Sequence, residues 1–137
     1  MMAWVQKELH RRFIICIFKI SMSNSKNIDI KGRTIGPGSP CFIIAEAGVN
    51  HNGDIMLAQE MIDAASEAGA DCIKFQTFKA EEFVSEATDI FEYVSQGETV
   101  RESQLEMFKR LEIEYSKFEG LFKRAEKKGL IPLSTPA

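Results

Sequence analysis

Cys72-Ile73-Lys74-Phe75-Gln76-Thr77 is the stretch on which the reading of the fold turns. It is short, opens on apolar residues and has the length of a strand. Side chains alternate along a strand, so Ile73 and Phe75 share one face while Cys72, Lys74 and Gln76 share the other. The first face suits packing against helices. The second cannot simply be dry: an unpaired buried lysine is very costly, so it needs a partner, a ligand or a wet cavity. Upstream, Phe42-Ile43-Ile44-Ala45-Glu46 has the same design, an apolar run of the kind buried on both sides of a parallel sheet, closing on a carboxylate. Phe42, Ile44 and Glu46 share a face there. Downstream, Leu130-Ile131-Pro132-Leu133-Ser134-Thr135-Pro136 begins a third strand.

Helices are expected between these strands. Asp54 is a good N-cap, Leu57, Ala58, Met61, Ile62, Ala65 and Ala68 follow helical spacing, and Gly69 stands where a C′ glycine belongs. Ser103-x-x-Glu106 and Ser116-x-x-Glu119 both read as capping boxes, and Phe118, Leu121, Phe122 and Ala125 supply a buried stripe that Gly129 ends. A long polar loop is expected from about Lys79 to Glu98. The glycines and prolines of residues 28–40 mark a lead-in with room for a short hairpin.

The order is therefore β-α-β-(α)α-β, with connections long enough for parallel crossovers and strands over residues 42–46, 72–77 and 131–134. Glu46, Lys74 and Gln76 lie toward the C-terminal strand ends, where barrel enzymes hold their catalytic groups. The fold class expected is α/β, a partial (β/α)8 TIM barrel comprising the first three strands with their helices. A small flavodoxin-like domain is the competing α/β reading, but residues 48–53 do not fit G-x-G-x-x-G.

With 137 residues, 45% hydrophobic and 27% charged, the chain has globular composition. A net charge of −3 without a basic stripe gives no reason to expect nucleic acid. Three cysteines, Cys16, Cys41 and Cys72, lack C-x-x-C spacing and fit a reducing cytoplasm better than a disulfide framework or zinc site. Residues 13–18 are an apolar run behind the basic His10-Arg11-Arg12, roughly half the length of a spanning helix and without a small-residue cleavage site. Residues 1–21 are read as a non-native or disordered extension, with natural translation starting at Met22; a membrane-associating segment is the alternative. Residues 22–40 are read as the lead-in and residues 41–137 as a truncated N-terminal TIM-barrel domain, with no membrane partner expected.

Four motifs carry a resemblance. Residues 43–54 read IIAEAGVNHNGD, residues 68–80 AGADCIKFQTFKA, residues 102–107 ESQLEM and residues 133–136 LSTP. In that order and spacing the chain resembles the sialic acid synthases, which make N-acetylneuraminate, legionaminate and related nonulosonates. The resemblance implies a full barrel followed by a small antifreeze-like domain, a homodimeric protein of the cytoplasm. It implies condensation of phosphoenolpyruvate with an N-acylated amino sugar, N-acetylmannosamine or a relative, releasing phosphate. It also implies a divalent metal, Mn2+ or Mg2+, held by histidines outside this segment, so no metal ligand is expected here and His51 is not counted as one.

By the same resemblance Lys74 and Thr135 contact phosphoenolpyruvate, and Glu46, Gln76 and Asn50 face the amino sugar, with Glu46 and Lys74 as the catalytic pair. The residue types suit those tasks: a lysine supplies charge in a low-dielectric pocket, a carboxylate accepts hydroxyl protons, and an amide both donates and accepts. Read alone, Lys74 is also open to being a snorkelling lysine paired with Glu46, Asn50 a loop brace, His51 a cap or loop residue, and Met56 and Met61 core. Two residues depart from the family pattern, Pro132 in place of a large apolar residue and Ala137 in place of phenylalanine. A non-catalytic orphan fragment or small-molecule-binding domain remains the rival reading.

Overall fold

The computed structural model describes residues 14–17, 27–84, 90–95 and 98–136. Its centre is a sheet of β1 (Ile14–Ile17), β4 (Ile43–Gly48), β5 (Cys72–Thr77) and β8 (Ile131–Pro136), in that spatial order. β4, β5 and β8 run parallel and neighbour one another in sequence order, as expected. β4 begins one residue later than predicted and continues through Gly48, and β8 continues through Pro136. β1 pairs with β4 in the antiparallel sense. Of the 1–21 segment expected as an extension, β1 is therefore part of the sheet; the other residues, and Met22, lie outside the described residues.

Helix α1 (Ile55–Glu67) starts where Asp54 accepts from the N–H groups of Met56 and Leu57, at 2.7 and 3.3 Å. It ends at Ala68, with Gly69 at φ +77°. Ala58, Met61, Ile62 and Ala65 are buried against Ala45, Ala47, Ile73 and Phe75, the helix-facing side of the sheet. Met56, read as core, is 65% exposed, because it falls off that stripe. Helix α4 (Tyr115–Lys127) buries Phe118, Leu121 and Ala125 in the same layer. Arg124 grips Asp63 of α1 through two nitrogens, at 3.1 and 2.6 Å, and Lys128 adds a contact at 3.3 Å. The Arg124 hydrogen bond holds the Asp63 carboxyl below its usual range.

The predicted capping box at Ser103 forms and opens α3 (Gln104–Leu111). The box at Ser116 does not: Glu114 is the N-cap of α4, and the Ser116 hydroxyl donates to its carboxylate at 2.7 Å. The expected polar loop is instead built up locally. It holds α2 (Ala80–Phe83) and an antiparallel hairpin of β6 (Ile90–Ser95) and β7 (Glu98–Ser103); residues 85–89 and 96–97 lie outside the described residues. Ile90, Phe91, Tyr93 and Val94 are strand-forming residue types, but they do not sort into an apolar and a polar face, and the charges around them obscured the strand.

The lead-in forms the expected hairpin, β2 (Ile28–Ile30) with β3 (Arg33–Ile35), turning at Lys31 and Gly32, both at positive φ. Ile30 and Ile35 pack beneath a second apolar layer of Phe42, Cys72 and Ile131, on the face opposite the helices. Arg33 reaches Asp71 at 2.9 Å, and Asp71 accepts from the Ile43 N–H at 2.8 Å, pinning the hairpin to the strand starts.

Pro132 is accommodated by register. Ile131 donates to the Asp71 carbonyl at 3.0 Å, so alternation turns the nitrogen of Pro132 away from β5, where no ladder donor is missed. Ala137 lies outside the described residues.

Gly53, at φ +75°, is the tightest backbone contact in the loop after β4: a Cβ there would stand 2.4 Å from the Arg110 carbonyl oxygen. Gly53→Ala should therefore lower stability by more than the ~1 kcal/mol that left-handed strain alone costs, read as a drop in urea midpoint against wild type.

Candidate active site

Register places the candidate residues before any side chain is considered. Glu46 stands opposite Lys74, and Gln76 opposite Thr135, on the face of the sheet turned away from the helices. Beyond Glu46 the register with β5 shifts, Gly48 pairing with Phe75, a bulge that ends the strand beside the site. The site thus occupies the C-terminal ends of three neighbouring parallel strands, above the apolar layer of Phe42, Cys72 and Ile131.

Lys74 Nζ lies 2.7 Å from Glu46 Oε2 and donates to Thr135 Oγ1 at 3.3 Å. The two charged side chains are 32% and 22% exposed, enough to be reached from solvent and too little to be fully screened. Glu46 Oε1 is buried and has no hydrogen-bond partner among the described residues. It stands 3.5 Å from where a Cβ on Gly48 would be, so the glycine leaves room beside it. Below the pair, burial, reinforced by the charges of Glu46 and Asp71, pushes the Cys72 thiol up to about 12, which leaves it an unreactive thiol.

The five residues singled out from sequence are not equally placed. Lys74, Glu46 and Thr135 converge. Gln76 is exposed, one step further toward the mouth on the same face. Asn50 is half-buried in the loop after β4, its N–H donating to the Ala47 carbonyl at 2.9 Å.

His51 was the residue that sequence read least well. It is 1% exposed, its ring meets Phe75 at 6.1 Å, and its Nδ1 accepts from the Gly53 N–H at 3.0 Å. Phe75 is the strand residue between Lys74 and Gln76, so His51 fastens the loop to the back of the site. No periodic apolar pattern surrounds Asn50-His51-Asn52, and its burial left no signal in the sequence.

The described residues contain no group of three or more His, Cys, Asp or Glu able to hold a metal ion, and Glu46 is engaged by Lys74. The divalent metal implied by the resemblance does not fit this set of donors. Among the described residues no helix is long and apolar enough to cross a membrane.

Residues 61–137 match the family model described as the NeuB family. The N,N'-diacetyllegionaminic acid synthase of Legionella pneumophila is 45% identical over 113 residues, covering 82% of this chain and 31% of that protein. The mouse N-acetylneuraminate-9-phosphate synthase is 58% identical over 50 residues, 36% of this chain and 14% of that protein. Among solved structures, the N-acetylneuraminic acid (sialic acid) synthetase of Leptospira borgpetersenii superposes with a TM-score of 0.67 at 36% identity, over 82% of this chain and 34% of that one. The chain thus spans about a third of the length of the Legionella and Leptospira proteins.

Burial lowers the His51 pKa from 6.5 to about 4, against smaller opposing effects of the Gly48 backbone and Asp54. The folded state therefore prefers the neutral ring. Its contribution is complete above pH 6.5 and is lost as pH falls toward 4, by an amount on the order of 3 kcal/mol. Denaturant midpoints from pH 7 to 4 should show that decline, and His51→Phe should be less stable at pH 7 but flatter across this window.

Proposed function

This chain belongs to the NeuB family, and from that membership we propose that it forms part of a synthase joining phosphoenolpyruvate to an N-acylated amino sugar, giving a sialic-acid-type nonulosonate and phosphate. The observation that carries the reading is the convergence of Lys74, Glu46 and Thr135 at the ends of three parallel strands. In this reading Lys74 exchanges its bond to Glu46 for the carboxylate or phosphate of phosphoenolpyruvate, a charge-assisted contact strengthened by partial desolvation. The Thr135 hydroxyl, already within reach of Lys74, completes that subsite.

Glu46, released from the lysine, faces the sugar with both oxygens. Its buried Oε1 is an acceptor suited to a hydroxyl, since burying it without a donor is costly. Gln76 at the mouth offers the sugar a neutral amide, and Asn50, in the loop after β4, is assigned to the same sugar. The metal belongs to this proposal only through ligands elsewhere in the whole protein, as does the homodimer. The same reading assigns that protein to the cytoplasm, where phosphoenolpyruvate is made.

The reading makes the isolated chain inactive, because the remaining phosphate and metal contacts come from other strands. Purified 1–137 supplied with phosphoenolpyruvate, N-acetylmannosamine and Mn2+ should release no phosphate; turnover would refute the proposed division of the site. In a protein joining residues 22–137 to the remainder of the Legionella relative, Lys74→Ala should reduce kcat/KM for phosphoenolpyruvate by the equivalent of about 2–5 kcal/mol. Gln76→Ala should instead act on the sugar dependence, and a folded Lys74→Ala protein with both dependences intact would return Lys74 to a structural role.

A further inference from the structure

The edge of β4 opposite β5 is where the first strand of a (β/α)8 barrel receives the last one, in the parallel sense. Here β1 occupies that edge in the antiparallel sense, with Ile14 opposite Glu46, Ile15 opposite Ala45, Cys16 opposite Ile44 and Ile17 opposite Ile43. Ile43 accepts from the Asp71 N–H, at 2.9 Å, so its polar groups, and by alternation those of Ala45, turn toward β5. Those of Ile44 and Glu46 turn the other way, to β1. A closing strand would need the same N–H and C=O groups, and each ladder position holds one strand at a time.

We propose that Ile14–Ile17 is an intramolecular edge cap that seals β4 and excludes the parallel strand with which a barrel closes. The cap does two things. It covers the outward backbone groups of β4 and moves the open edge of the sheet out to β1, one strand away from the site. It also reaches the level of Glu46, so the sealed form and a form with a closing strand beside the site are alternatives of one another.

Amide exchange on the whole chain and on residues 22–137 tests the cap, both held dilute enough to be monomers by light scattering. Removal of residues 1–21 should speed exchange at Ile44 and Glu46 by roughly 100-fold or more, while Ala45, bonded to β5, keeps its protection and reports that the sheet survives. Equal rates at Ile44 and Glu46 in the two monomers would overturn the proposal. Should the shortened chain fail to fold, the intact one still decides. With Cys16 and Cys41 replaced by serine, Ile15→Cys and Ala45→Cys lie on a non-hydrogen-bonded pair, about 4.5 Å between Cα atoms and within disulfide reach. Mild oxidation should link 15 to 45 within one chain. A link formed only between chains would instead make the strand a second copy's contribution, and no link would mean that β1 is not there.

Discussion

The pairing of Lys74 with Glu46 constrains everything around it. Two charges stand opposite each other on strands whose other faces are packed against helices, so one side of the sheet cannot be closed with apolar groups. The structure resolves this by dividing that side in height. Toward the strand starts, Phe42, Cys72 and Ile131 are sealed beneath the β2–β3 hairpin; toward the strand ends the charged pair keeps partial access to water. Neither charge is left unpaired in the low-dielectric layer, which would be the expensive alternative. A carboxylate and an ammonium held together at a wet mouth are also groups that, on the proposed reading, an anionic and a polyhydroxylated ligand would separate, because each would find a replacement partner there.

The helical side keeps that mouth in register. α1 and α4 are fastened to each other by the fork of Arg124 on Asp63 and to the sheet by Met61, Ile62, Phe118 and Leu121. The loop joining β4 to α1 is held from three directions: by Asp54 capping the helix, by His51 against Phe75, and by Gly53 pressed on the carbonyl of Arg110. The last contact couples the loop to α3, whose own start is fixed by the Ser103–Glu106 box. Arg110 further carries the β6–β7 hairpin through Glu102, at 2.7 Å. Local motifs with different sequence origins therefore converge on one short loop beside the site.

What was legible in the sequence was whatever alternates or caps. The β5 alternation separated Ile73 and Phe75 from Lys74 and Gln76 and set Lys74 with Glu46 toward the strand ends; Thr135 came in through the resemblance alone, and Gln76 stands exposed one step beyond the pair. The Asp54 cap and the Gly69 stop fixed α1 to within a residue. The misses have different causes, two of them local and one long-range. Ser116 and Glu119 have the spacing of a capping box, but the chain enters α4 two residues earlier and the serine bonds backward to Glu114. In the β6–β7 hairpin, β7 is mainly polar, with Arg101 opposite Glu92, and the strand-forming Ile90, Phe91, Tyr93 and Val94 of β6 fall on both faces and announce no single apolar one. His51 is buried by Phe75, across the strand from anything local.

The two flanks of the parallel strands β4, β5 and β8 are handled by different physics. The β4 edge is covered by backbone, through β1. On the β8 edge, alternation from the Ile131–Asp71 bond turns the polar groups of residues 132, 134 and 136 outward. Two of these are Pro132 and Pro136, which have no N–H, leaving Ser134 as the donor among the three, while all three carbonyls remain available. A strand arriving there could satisfy its own N–H groups but would leave most of its carbonyls unbonded. Backbone pairing alone then gives little reason for a stray chain to add to this edge. A neighbouring strand that does settle on it must be held by what its side chains bury, against half-buried Leu133 on the inner face and the helices on the outer one, and not by the ladder.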